Sequence, residues 1–570
     1  MSASNKKIFL WLITLSLPFL ALGLIEIGLR LSGKFSHTPV FTNSAVNPDY
    51  KLFNPELAKR YFDTELIGIK GERDPFLARK PQNTFRVVVQ GESAVQGFPY
   101  GHSISFSRFL KQYLEQLMPD RNIEVINMGL TAISSHILLD MAREIPSIEP
   151  DLVVIYTGHN EYYGIFGAGS AYRFSGKSSF LSAYIYLRRF SLFRALGQLL
   201  GTGPSFSSAE EPQGTLMQAM AANKEIAFGD ITYQAGLDQF RSNMGIILEI
   251  YRKAGLPVIL AVPQSNLRSQ PPFVSEAITS AEDLQSFSAL SGRIKTAGGL
   301  DSTERRQLLK LYTKYPEHAG INYLMGLSVN RSTDALEYFI SARDLDMLRF
   351  RANSDIANAI QELSTQYGAK MSNAYNALAQ ADAEGIPGDQ IFAEHVHFNI
   401  QGNEVLARHL TSEIADLFEI KLPDDITPPI FNVLDSLLGE MNTYSLLRNW
   451  PFTLYSDLFP PGNEVVFDHP LIDMALDVQS RKIGYLQAGL AAMDFYLDRG
   501  DLQTAKGITR SLADEFPDQH FPILLHEVLL LATQSKTDSG KLKSLWLEST
   551  DNQKQRARLT GEKAGYKLNL

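Results

Sequence analysis

The chain has 570 residues, 44% hydrophobic and 20% charged, with a formal net charge of −9 and no cysteine. That length calls for roughly two to four folded units. The lack of cysteine excludes disulfides, thiolate metal sites and cysteine nucleophiles, and the acidic balance without a basic run argues against a nucleic-acid partner.

In chain order, Lys6-Lys7 precede an uncharged run from Ile8 to Ile25. Its ~18 residues would make a helix of roughly 27 Å, enough to cross the hydrocarbon core of a bilayer. The lysines should stay cytoplasmic, which puts the rest of the chain outside. A cleavable signal peptide is the rival, because Ala21-Leu22-Gly23 offers small residues. Against cleavage, no polar region follows, and the pattern runs on through Glu26 and Arg30. Residues 1–31 are therefore read as a single-pass anchor. Residues 32–84, with five prolines (Pro39, Pro48, Pro55, Pro75, Pro81), are expected to be a loop-like juxtamembrane linker.

From residue 85 apolar runs alternate with helical patterns. Strands are predicted at Phe85–Val89, Ile123–Asn127, Leu152–Tyr156 and Pro257–Val262, and helices at Ser103–Gln116, Ile133–Ile145 and Gln239–Ala254. Consecutive apolar strands separated by helices indicate α/β architecture, a central parallel sheet with helices on both faces, within a unit spanning 85–420. Residues 164–235 interrupt it and contain SSFLSAYIYLRRFSLFRALGQLL. Two readings are open there: a helix on the domain surface, or a lid or membrane-facing helix whose arginines reach lipid phosphates. Residues 301–345 resemble one tetratricopeptide-type hairpin, with Tyr323, Gly326, Ala335, Tyr338, Phe339 and Ala342 at repeat-like spacing. Residues 421–570 are helical with the same flavour.

Four pieces carry chemistry. Gly91-Glu92-Ser93 ends the first strand of the unit, where ligands of open α/β sheets bind. A serine there is either a nucleophile whose own N–H can serve an oxyanion or a helix cap. Asn127-Met128-Gly129 ends the second strand, and Gly129 offers either a close-approach N–H or an ordinary turn. Gly158-His159-Asn160-Glu161 ends the third; Asn160 is either an oxyanion donor or a turn residue, and His159 falls on the donor side. Last comes Glu394-His395-Val396-His397-Phe398-Asn399. Glu394 and His397, three apart, suit a base held by its carboxylate. His395 is expected to point elsewhere. A metal at Glu-His-x-His would lack a third protein ligand nearby.

Together these pieces strongly resemble the SGNH, or GDSL-type, hydrolase superfamily. GESAVQGFPYG, NMGLTAISSH, YTGHNEYYG and DLDMLRFRAN also look like a bacterial subgroup that joins a membrane anchor, this domain and tetratricopeptide-like helices. The resemblance implies a three-layer, flavodoxin-like sandwich with Ser93 as nucleophile, His397 as general base and Glu394 as its orienting acid. It implies an oxyanion hole from Ser93, Gly129 and Asn160, and no metal or organic cofactor. Glu92, Glu161 and Glu394 stand where the family has aspartate.

The expected activity is a serine esterase acting through an acyl-enzyme, on O-acyl (acetyl) esters of an envelope glycan or lipid. An O-acyltransferase to a polysaccharide, or an assembly scaffold with a secondary hydrolase domain, are the alternatives. Arg268, Arg349 and Arg351 are candidate substrate contacts. The anchor implies a bacterial inner-membrane protein with its catalytic domain outside the cytoplasm, and the tetratricopeptide-like helices a protein partner.

Overall fold

The computed structural model describes residues 3–33, 35, 37–61, 71–101, 103–171, 178–200, 216–221, 225–329, 332–455, 467–533, 535 and 539–568. Parts of the predicted linker and of the 164–235 insertion therefore lie outside the described residues. The chain opens on α1 (Ala3–Leu31). Among the described residues it is the one helix long and apolar enough to cross a membrane, with mean hydropathy 1.6 over Thr14–Leu31.

The expected linker is structured. β1 (Phe41–Asn43), β2 (Tyr50–Phe53) and β3 (Asp74–Leu77) form an antiparallel sheet in the order β1-β2-β3. Strands of three and four residues are too short to show a pattern among prolines, so the sequence reading passed over them. Val40, Phe53 and Phe76 are buried beneath this sheet. Its last strand is tied to the main body, because Asp74 accepts the Asn127 N–H (2.5 Å) and Glu124 accepts the Leu77 N–H (3.0 Å).

The main sheet holds β4 (Thr84–Gly91), β5 (Asn122–Gly129), β6 (Leu152–Tyr156), β7 (Val258–Ala261) and β8 (Lys370–Ser372). Its order is β5-β4-β6-β7-β8 and every pairing is parallel. Side chains alternate across it as strand geometry requires. Val88, Ile126, Val153, Ile155 and Leu260 enter one core, while Val87, Val89, Val125, Val154 and Ile259 enter the other. Each fully buried valine contributes about 1.5–3 kcal/mol relative to an exposed one.

Helices cover both faces. α2 (Ser93–Gln96) and α3 (Phe106–Leu117) follow β4, and α4 (Ser135–Ala142) follows β5. α5 (Ser178–Leu187), α6 (Ser191–Leu200) and α7 (Leu216–Ala221) belong to the insertion. α8 (Ile231–Lys253) starts eight residues before the predicted Gln239, because Asp230 caps it by accepting the Tyr233 N–H (2.6 Å). α9 (Ala281–Ala297), α10 (Ser302–Lys314), α11 (Ala319–Ser328) and α12 (Ser332–Asp344) form the helical excursion between β7 and β8. α13 (Ser354–Tyr367), α14 (Tyr375–Ala381) and α15 (Ile400–Leu417) complete the unit. α4, α8 and α13 share the first core, and α3 and α15 the second, giving three layers.

The remaining helices are α16 (Val433–Leu447), α17 (Ile472–Gln479), α18 (Tyr485–Leu497), α19 (Leu502–Glu515), α20 (His520–Ala532), α21 (Ser539–Glu548) and α22 (Asp551–Lys563). They enclose a core of their own around Ala488, Leu512 and Leu525. Charged side chains clamp this group to α3. Arg108 pairs with Asp74 (3.0 Å) and Glu515 (3.4 Å), Lys111 with Asp514 (2.7 Å), and Arg510 with Glu115 (2.5 Å).

Candidate active site

Gly91 on β4 lies level with Gly129 on β5 and Tyr156 on β6, so three strands end in one plane. Both glycines are there for close approach. A Cβ on Gly91 would lie 2.1 Å from the Tyr156 carbonyl oxygen, and one on Gly129 would lie 2.1 Å from the Gln96 nitrogen. The backbone of α2 thus rests directly on the end of β5, with Ser93 as its first residue.

Ser93 Oγ donates to His397 Nε2 (2.6 Å), and His397 Nδ1 donates to Glu394 Oε1 (2.5 Å). A carboxylate only accepts, so the proton of the neutral ring sits on Nδ1 and leaves Nε2 free to take the serine's. The Phe98 ring lies 4.7 Å from the His397 ring. Ser93 and His397 are each 8% exposed, while the Glu394 side chain is fully buried.

Glu394 is held from four directions. Its Oε1 also accepts the backbone N–H groups of Val396 (3.2 Å) and His397 (2.6 Å), and His395 Nδ1 donates to Oε2. His395 therefore does not point elsewhere, as the sequence suggested. The turn folds the longer glutamate back between both imidazoles. Burial opposes ionisation of Glu394, but the two imidazoles and their hydrogen bonds outweigh it and hold the carboxyl well below its usual range. The His395 ring sits among Phe273 (5.6 Å), Phe350 (6.2 Å) and Phe452 (5.3 Å), and burial lowers its pKa.

Glu92, which had no role in the sequence reading, is the second buried carboxyl at the site. Oε1 accepts from Thr157 Oγ1 (2.6 Å) and the Gly158 N–H (3.0 Å); Oε2 accepts from both the N–H and the side-chain amide of Asn160 (3.2 Å each). One carboxyl thus fixes the turn after β6 and the orientation of the Asn160 amide. Burial pushes its pKa up to about 7 against those hydrogen bonds. Glu161 performs a similar task one layer back, accepting from Ser135 (2.8 Å) and Gln239 (2.6 Å), with burial raising it to about 8. His159 is buried, its Nδ1 accepts the Ala352 N–H (3.1 Å), and burial holds it well below its usual pKa.

Gly129 does not present a free donor. Its N–H donates to Asn127 Oδ1 (2.8 Å), an intraloop bond. Three residues on, Ala132 is buried in left-handed conformation (φ 64°), and its carbonyl accepts the Ile165 N–H (2.8 Å). Its own N–H meets no acceptor among the described residues.

The arginines expected at the substrate are placed differently. Arg349 is buried, donates to the carbonyls of Ile226 (2.9 Å) and Asp344, and lies over the Tyr233 ring. Arg351 is buried, pairs with Asp346 (3.1 Å) and donates to the carbonyls of Asn266 and Gln270 (3.1 Å each). Both guanidiniums brace the fold rather than face a ligand. Arg268 is partly exposed and paired with Glu384 (3.1 Å).

The C-terminal helices reach this site, which the sequence did not suggest. Asn442 donates to the Pro99 carbonyl (2.8 Å), and Asp435 accepts from the Ser103 N–H (2.8 Å). Gly439 lets α16 approach so closely that an added Cβ would lie 1.9 Å from the Tyr100 ring. α16 thus supports the loop that carries Phe98. Among the described residues, no group of three or more His, Asp or Glu side chains is placed to hold a metal ion.

No family model and no curated protein matches the sequence. Solved structures similar to it include a lipase/acylhydrolase from Enterococcus faecalis, at 14% identity over 60% of this chain and 100% of that one, with a TM-score of 0.27. A GDSL-like lipase from Bacteroides thetaiotaomicron aligns at 10% identity over 58% and 88%, TM-score 0.24. A mutant acetyl-xylooligosaccharide esterase from Geobacillus aligns at 10% identity over 58% and 94%, TM-score 0.28.

Proposed function

We propose that the protein is a serine ester hydrolase working through an acyl-enzyme, and the observation that carries this is the continuous Ser93–His397–Glu394 hydrogen-bond chain. Ser93 Oγ attacks the ester carbonyl as His397 Nε2 takes its proton, and Glu394 stabilises the imidazolium. The tetrahedral oxyanion is held by the Asn160 amide and the N–H groups of Ser93 and Ala132, the last in place of Gly129. His397 returns the proton to the leaving alcohol, and water then releases the acyl group by the reverse sequence.

The substrate we assign is an O-acyl, for example acetyl, ester of an envelope glycan or lipid, met outside the cytoplasm by a protein anchored through α1. This rests on the apolar N-terminal helix behind Lys6-Lys7. Residues 85–420 are the catalytic unit in this reading, and the tetratricopeptide-like helices at 301–345 and 421–570 offer a surface for a protein partner. p-Nitrophenyl acetate should be turned over slowly, and Ser93→Ala should abolish it. Turnover unchanged in that variant sinks the assignment and leaves the scaffold reading.

A further inference from the structure

Between Ser178 and Leu200 the insertion contains no acidic residue and no lysine; its only charges are Arg188, Arg189 and Arg194. Arg188 and Arg189 do not reach outward. Arg188 donates to the Arg60 carbonyl (3.0 Å) and the Tyr184 hydroxyl (3.1 Å), and Arg189 pairs with Asp140 (2.9 Å) and Glu144 (3.5 Å). Arg60 joins the same carboxylates at 3.0 and 2.9 Å. Arg188 and Arg189 thus tie this segment to Arg60, Asp140 and Glu144, with Leu181 and Ile185 buried in the core, while other apolar side chains are left outside. Leu199 is 80% exposed, Leu200 68%, Tyr186 52% and Leu196 44%. That is the reverse of a water-facing amphipathic helix, and an exposed apolar patch marks a contact surface.

The patch is continuous with α1. Glu26 accepts the Ser191 N–H (3.0 Å) and the Leu192 N–H (2.7 Å), so α6 begins at Glu26. One turn on, Phe193 and Leu196 share an apolar hollow with Leu22 and Gly23. As α6 advances from 192 to 196, its neighbours on α1 run back from 26 to 22. Continued at 1.5 Å per residue, this brings Leu200 about 12 Å beyond the level of Glu26, level with residue 18 and within a turn of Phe19 and Leu20. Those two residues are themselves 71% and 64% exposed.

We propose that α6 is seated in lipid: its exposed leucines lie among the acyl chains of the bilayer that α1 crosses. Glu26 and Arg30, paired at 2.6 Å, mark the polar boundary. The arginine clamp then fixes the catalytic body against that membrane face. This rests on the anchor reading of α1.

Because the chain has no native cysteine, a single introduced one reports one position. Leu199→Cys, Leu200→Cys, Leu20→Cys and Ile231→Cys are spin-labelled singly in the full chain. Each is reconstituted in phosphatidylcholine/phosphatidylglycerol vesicles, and its accessibility to oxygen and to a water-soluble nickel complex is compared. Positions 199 and 200 should match 20, favouring oxygen. Position 231, at 87% exposure on α8, should favour nickel. A lipid-like 20 with a water-like 199 and 200 overturns the seating of α6 alone. A water-like 20 removes the anchor and the seating together.

Discussion

Two glutamates flank Ser93 and His397, both buried and each on its own turn. Glu92 gathers neutral donors from the turn after β6, while Glu394 sits between two imidazoles. Their acidities move apart: Glu92 rises to about 7, and Glu394 falls well below the usual range. Burial penalises the charged form of both, so partner chemistry decides the outcome. One carboxyl is a brace that orients an amide; the other is a charge aimed at a base.

The sharpest way to break this contrast is Glu394→Gln. It keeps the shape but removes the charge and turns one of the two acceptor oxygens into a donor NH2, so kcat should fall by about 10⁴ while the fold persists. A loss below tenfold would mean that Glu394 only positions. Glu92→Gln should cost less, about 10–100-fold in kcat with little change in KM, since the Asn160 amide would be misaimed rather than removed.

pH separates the two carboxyls further. Glu92 titrates near 7 in the folded state against an ordinary value near 4.5, so the folded protein keeps a proton that the unfolded chain releases. Its contribution therefore weakens stability as pH rises from about 4.5 to 7, by up to about 3 kcal/mol. Glu92→Gln should flatten the melting temperature across that window. Glu394, being depressed, stabilises above the unfolded value and loses that contribution as pH falls through its folded pKa, so Glu394→Gln should flatten the acid limb instead. The same limb in both variants would contradict the assignment.

His395→Phe tests the second imidazole. Losing a hydrogen bond to a charged group costs about 1.5–3 kcal/mol, and an about tenfold drop in kcat with a shifted pH–rate profile is expected. His395→Gln, which can still donate, should recover most of it. A purely structural histidine would show neither the profile shift nor the rescue. The smallest effect should come from Asn442→Ala, which frees the Pro99 carbonyl and loosens the loop behind Phe98. A two- to fivefold change is expected, about 0.4–1 kcal/mol. No change in steady-state rates would detach the C-terminal helices from the site.

Four strands of the sheet were legible because their apolar runs are fully buried, and the site residues stood directly at the ends of three of them. β8 was not, because only three residues, Lys370–Ser372, pair at the sheet edge and two of them are half-buried. His395 was set aside because adjacent residues usually diverge; a glutamate folded back in a tight turn reaches both neighbours. Glu92 looked like a mere substitution because its partners lie 65 to 68 residues away. Arg349 and Arg351 looked available because burial cannot be read from a charged tetrapeptide. The role of α16 depends on a contact over more than 300 residues, which leaves no local trace.

The most direct test of the catalytic chain is labelling the full-length protein with a fluorophosphonate probe. The wild type should become labelled at Ser93, with Ser93→Ala blank and His397→Gln strongly slowed. A well-folded wild type that takes up no probe, or equal labelling of Ser93→Ala, would contradict the account.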